Sequence, residues 1–77
     1  MTVTIYTKPD CMPCRATKRA LTKRGVEYVE APAREHVATL ARYGYQAAPV
    51  IVVEDTTGEV VDHWSGYRPD KCDTLVA

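Results

Sequence analysis

Thr2-Val3-Thr4-Ile5-Tyr6-Thr7-Lys8-Pro9-Asp10-Cys11-Met12-Pro13-Cys14 is the stretch whose reading decides the fold. Val3 and Ile5 alternate with hydroxyl-bearing neighbours in a β-branched run, which predicts a strand over residues 2–6. Thr7-Lys8-Pro9-Asp10 breaks that run with Pro-Asp turn chemistry. From Met12 to Arg24 there is no glycine and, after Pro13, no proline. Cys14, Thr17, Ala20 and Leu21 share one face at helical spacing, with Arg15, Lys18, Arg19 and Arg24 mostly on the others. Cys11 is thereby placed in the first turn of a helix and Cys14 three residues on, facing inward. Two cysteines at this spacing can close a disulfide or share a metal, and spacing alone leaves both open. The strand-to-helix junction favours redox work over a plain stabilising bridge.

A helix N-terminus presents unpaired N–H groups and about half a positive charge. Both favour thiolate, the attacking species in disulfide exchange. Lys8 and Arg15 add positive charge nearby and Asp10 opposes them. The expected roles follow: Cys11 exposed and nucleophilic, Cys14 resolving the mixed disulfide. Pro13 fits the first turn, where an N–H has no intrahelical partner to lose, and stiffens the loop between the sulfurs. Zinc is the main non-enzymatic alternative, with His63 and Cys72 completing a site begun by Cys11 and Cys14; an iron–sulfur cluster bridged between two copies, needing similar thiolates and glutathione, ranks below it. Closed zinc sites bring a second close-spaced pair, whereas eight residues separate His63 from Cys72. No metal or other cofactor is expected. Cys72 reads as a partly buried free thiol and His36 as a surface residue.

Seventy-seven residues are expected to form one domain spanning 1–77. Ten basic and ten acidic side chains balance, which argues against nucleic acid as the main partner. The balance hides an asymmetry. Residues 1–24 hold six basic side chains and one acidic, a net of +5, while residues 25–77 hold four basic and nine acidic, a net of −5. Such a patch is either a solvated helix face or a positive collar that attracts acidic partner segments. The N-terminal residues lack the apolar stretch of a signal peptide, and no apolar run approaches membrane-spanning length. Three cysteines do not suggest a secreted disulfide framework. A cytoplasmic monomer with no membrane partner is expected.

Lys23-Arg24-Gly25 closes the first helix, and Val26 to Glu30 reads as a second strand. Pro32 suits a helix start. Val37, Leu40, Ala41 and Gly44 give the stripe of an amphipathic helix over 34–43 that ends at Gly44. Val50-Ile51-Val52-Val53 is continuously apolar, as in a strand buried on both faces. A turn at residues 54–58 leads to a hairpin arm over 59–64, and Pro69 opens a last helix ending near Val76. The order βαβαββα predicts an α/β fold: a small mixed four-stranded sheet with helices on both faces. The two early strands are expected to be parallel and the last pair antiparallel. A partner then binds at the carboxyl ends of the parallel strands, where Cys11 emerges.

Cys-x-x-Cys after the first strand and Ala48-Pro49 before the third resemble the thioredoxin fold in its minimal, glutaredoxin-sized form. The finer resemblance is to the NrdH-redoxins. It rests on Tyr6-Thr7-Lys8-Pro9-x-Cys11-x-x-Cys14, on Ala48-Pro49-Val50, and on His63-Trp64-Ser65-Gly66-Tyr67-Arg68-Pro69-Asp70-Lys71. Met12-Pro13 departs from the Val-Gln common in that family. The resemblance implies a dithiol-disulfide oxidoreductase that is reduced by NADPH-dependent thioredoxin reductase and serves the catalytic subunit of class Ib ribonucleotide reductase. It implies a cis Pro49, with Ala48 presenting its backbone to substrate. A partner surface is expected from Lys8, Met12, Pro13, Trp64, Ser65, Gly66, Tyr67 and Arg68, with Trp64 and Tyr67 divided evenly between that surface and the fold. The enzymatic alternative is a glutathione-dependent glutaredoxin. Against it, Ala47-Ala48-Pro49 lacks the threonine hydroxyl of a glutathione site, and Arg68-Pro69 replaces an acidic pair.

Overall fold

The computed structural model describes residues 1–75. Its element order is β1 (Thr2–Thr7), α1 (Met12–Lys23), β2 (Val29–Pro32), a 3-10 turn (Ala33–Glu35), α2 (Val37–Arg42), β3 (Val50–Glu54), β4 (Val60–Ser65) and α3 (Pro69–Asp73). The strands form one mixed sheet in the order β2-β1-β3-β4. β1 pairs in parallel with β2 and antiparallel with β3, and β3 pairs antiparallel with β4.

Strand alternation gives the sheet two apolar faces. Val3 and Ile5 of β1 join Ile51 and Val53 of β3 under Ala20 and Leu21 of α1, with Trp64, Cys72 and Leu75 completing that layer. Val50 and Val52 point to the other face, where Leu40 covers them and Tyr6, Tyr43 and Tyr45 pack around. All four residues Val50 to Val53 are buried, as an uninterrupted apolar run implies.

Several boundaries differ from the sequence reading. Helix α1 stops in a Schellman arrangement: the Gly25 N–H reaches the Thr22 carbonyl and the Val26 N–H the Leu21 carbonyl. Gly25 takes φ 73°, a conformation open to glycine. That cap ties up Val26 and buries its side chain, so β2 starts at Val29 and runs to Pro32 rather than covering 26–30. The helix expected over 34–43 is divided at His36, whose φ of −131° separates the 3-10 turn from α2. Its apolar stripe is narrower than the periodicity suggests: Leu40 is buried, while Val37 is 66% exposed. His36 is half-buried and packs edge-on against Tyr6, with ring centroids 5.1 Å apart. Helix α3 ends at Asp73, and Val76 lies outside the described residues.

Cys72 is fully buried instead of partly so. Burial pushes its thiol pKa up, so the group stays neutral. Exchanging this sulfur for a hydroxyl puts an alcohol where the surroundings are apolar. Cys72→Ser should therefore lower stability by about 1–3 kcal/mol, read from urea unfolding followed through Trp64 fluorescence. An unchanged midpoint would show that the site is not the apolar environment described.

Candidate active site

The active-site geometry begins at Asp10, which takes the left-handed φ of 54°. Asp and Asn tolerate that region better than other non-glycine residues. The turn swings Cys11 into the N-cap position of α1, with φ −109° and ψ 105°. Cys11 is therefore the cap and not a member of the first turn. Its Sγ accepts the Cys14 N–H at 3.2 Å, and its carbonyl accepts the first helical bond from Arg15. Pro13 stands in the first turn without wasting a donor. The Thr17 hydroxyl donates to the Pro13 carbonyl at 2.8 Å and tightens that turn. With Cα atoms 5.2 Å apart, Cys11 and Cys14 are joined as a disulfide.

Cys11 was expected to be exposed, yet only 4% of its surface is accessible in this oxidised form, and 2% of Cys14. The loop before β3 closes over it: the Ala48 carbonyl oxygen lies 3.9 Å from Cys11 Sγ. The Ala48–Pro49 peptide is cis. The β3–β4 ladder fixes this loop, because Val50 registers with Ser65. The Ser65 hydroxyl donates to the Ala47 carbonyl at 2.8 Å, and the Gly66 N–H donates to the Pro49 carbonyl at 2.8 Å. Both flanking carbonyls are thus occupied, which leaves Ala48 as the backbone unit presented beside the disulfide. Gly66 adopts φ 83°, so a side chain there would be strained.

The remaining expected site residues divide. Met12 is 70% exposed and Pro13 exposed, and both flank the disulfide. Trp64 is not a surface residue: it is 98% buried in the layer beneath α1 and α3, with Lys71 Nζ 5.4 Å above its ring. Its register partner is Ile51, which points to that same face. Tyr67 is 44% exposed. The Arg68 guanidinium grips Asp70 through two hydrogen bonds of 3.2 and 2.8 Å. Those bonds hold the Asp70 carboxyl below its ordinary pKa and neutralise much of the Arg68 charge. Tyr45, just before the loop, is anchored by a 2.9 Å contact from its hydroxyl to His63 Nδ1.

One depression borders the disulfide and a second borders the loop at Ala48. The first, of about 390 Å³, is shared by Cys11, Cys14, Thr7, Lys18 and Glu30. The buried Thr7 hydroxyl donates to the Glu30 carboxylate at 2.8 Å, and Lys18 Nζ approaches it at 3.2 Å. The hydrogen bond from Thr7, then that from Lys18, lowers the Glu30 pKa. The sequence reading missed this trio. The parallel register Thr7↔Pro32 is what brings the end of β2 to the cysteines, and it is a long-range pairing. The second depression, about 630 Å³, is lined by Val37, Leu40, Ala41, Tyr45 and Ala48, with Lys8 at its edge. Among the described residues, no cluster of three or more His, Cys, Asp or Glu side chains is placed to hold a metal.

Comparison with known proteins agrees with this geometry. The glutaredoxin family matches residues 3–57. The glutaredoxin-like protein NrdH of Salmonella typhimurium is 38% identical over 97% of this chain and 89% of its own length. The gene 56 protein of Mycobacterium phage D29 is 35% identical over 96% of this chain and 81% of its own. The solved structure of the NrdH-redoxin from Escherichia coli superimposes with a TM-score of 0.83 at 36% identity, covering 97% of this chain and 95% of that one. A thiol-disulfide pair capping a helix, a thioredoxin-like sheet and these likenesses together place the chain in the glutaredoxin family, as a redox protein of the NrdH type.

Proposed function

We propose that the protein is a dithiol carrier that reduces disulfides in other proteins. The observation that carries this reading is the inequality of the two sulfurs. Cys11 caps the helix beside Ala48 and receives the Cys14 N–H, which stabilises negative charge on sulfur. Cys14 lies within α1 and faces inward. The Cys11 thiolate attacks a partner disulfide and forms a mixed disulfide, expelling one partner thiolate that takes up a proton. Cys14 then loses its proton and attacks Cys11 Sγ. The Cys11–Cys14 bond forms, the mixed disulfide breaks, and the partner leaves with its second thiol. Two electrons have moved from the dithiol to the partner.

Thioredoxin reductase is the proposed source of electrons, and the class Ib ribonucleotide reductase catalytic subunit the proposed recipient, in the cytoplasm. The Escherichia coli relative is described as having a thioredoxin-like activity profile, which supports the choice of donor. The loop 47–49 offers glutathione no hydroxyl, since alanines occupy 47 and 48. Arg68 adds less repulsion toward a glutathione ammonium than its charge suggests, because Asp70 holds it. The weight therefore falls on the missing hydroxyl and on the apolar depression beside Ala48, which suits a protein surface.

Three outcomes test the proposal. Cys11→Ser should abolish disulfide reduction, whereas Cys14→Ser should accumulate a mixed disulfide with the partner, visible on non-reducing gels. Equal trapping by both variants would contradict the assigned roles. NADPH should be consumed with thioredoxin reductase and an insulin disulfide, and only weakly with glutathione and glutathione reductase. The reverse pattern would make the protein a glutathione-dependent glutaredoxin. Ser65→Ala should cut kcat/KM about fivefold, the equivalent of losing about 1 kcal/mol from one hydrogen bond, and leave the reaction with a small aromatic disulfide nearly intact. An equal loss on both substrates would show that Ser65 does not act by holding Ala48 for a protein partner.

A further inference from the structure

The 390 Å³ depression beside the disulfide carries a charge pattern that the dithiol chemistry does not use. Four cations border it, Lys8, Arg15, Lys18 and Arg34, together with two carboxylates, Asp10 and Glu30. Lys18 and Glu30 neutralise each other at 3.2 Å. Lys8, Arg15 and Arg34 are all exposed, and among the described residues none of them enters an ion pair. Asp10 alone opposes them, so three positive charges meet one negative charge around the reactive sulfurs.

The positive field continues away from the site. Arg15, Arg19 and Lys23 recur every four residues along α1 and are exposed, so they form one stripe starting at the depression. Arg19 and Lys23 are also free of ion pairs among the described residues. Eight residues of helix give the stripe a length of roughly 12 Å, which matches about four residues of extended chain. By contrast, Arg24, Arg68 and Lys71 are each matched by an aspartate.

We infer that this rim and stripe dock an extended acidic segment of the partner protein, lying next to the partner's disulfide. The inference rests on the dithiol reading above and gives its substrate a chemistry: a cysteine flanked by several Asp or Glu residues. Such charges raise the encounter rate and set the orientation in which the disulfide meets Cys11. A depression carrying Glu30 with its charge already satisfied accepts carboxylates at its rim without a buried repulsive group, because Lys18 faces that carboxylate.

The experiment uses the reduced full-length protein and three disulfide-bonded peptides of equal length. Their cysteines are flanked on one side by four Asp, four Asn or four Lys residues. Stopped-flow rate constants are measured at low and at high ionic strength. The acidic peptide should be reduced about tenfold faster than the neutral one in low salt, and the lysine peptide slowest. The three should converge near 1 M salt, where the screening length falls to about 3 Å. Arg19→Glu/Arg34→Glu should erase or invert the acidic preference, and the ratio between peptides cancels any change in thiol reactivity. Equal, salt-independent rates for all three peptides would overturn the docking inference while leaving the dithiol reading intact. Failure to reduce any peptide would overturn that reading itself, and the inference with it.

Discussion

The position of β1 between two partners is the constraint on which the rest depends. Its parallel pairing with β2 and antiparallel pairing with β3 place one strand end beside two separate chain segments. That end is where the chain turns at Asp10 and enters α1. The sulfur pair therefore meets the end of β2 on one side, through Glu30, and the loop before β3 on the other, through Ala48. Neither segment is near the cysteines in sequence. Ile5, fully buried on the strand, and Leu21 above it hold this arrangement through apolar burial, each contributing about 1.5–3 kcal/mol relative to exposure.

The loop before β3, which lies against Cys11, is fixed from the opposite edge of the sheet. The hairpin register brings Ser65 and Gly66 onto the carbonyls of Ala47 and Pro49, so the presentation of Ala48 is set by pairing between β3 and β4. Two chemically alike thiols then become different through placement. One is a helix cap close to an exposed rim, and the other is packed inside the helix. Charge is distributed unevenly too: among the described residues Lys8, Arg15 and Arg34 near the sulfurs enter no ion pair, whereas the cations near α3 are matched by aspartates.

Local signals carried most of this into the sequence. The β-branched runs, the helical face through Thr17 and Leu21, and the glycines at helix ends are short-range features, and they mark the order of elements and the dithiol. The antiparallel hairpin and the two-sided burial of Val50 to Val53 were equally legible. What failed was decided partly by local capping and partly by neighbours distant in sequence. Val26 looks like strand but is consumed by the cap of α1. Trp64 reads equally as core or as partner surface, and the strand register, which sets it opposite Ile51, sends its indole to the core. Cys11 looks exposed at a helix start, but it is buried, with the Ala48 carbonyl of the loop before β3 against its sulfur. The Thr7–Glu30–Lys18 cluster joins three elements and leaves no local trace.

The central claim is that position alone makes Cys11 the reactive thiol, Cys14 its inward partner and Cys72 inert. The most direct measurement is limited alkylation of the fully reduced native protein with substoichiometric iodoacetamide near neutral pH, followed by peptide mass spectrometry. The account predicts that Cys11 is modified first, Cys14 well behind it, and Cys72 only after unfolding. Preferential modification of Cys14 or Cys72 in the native protein would contradict it.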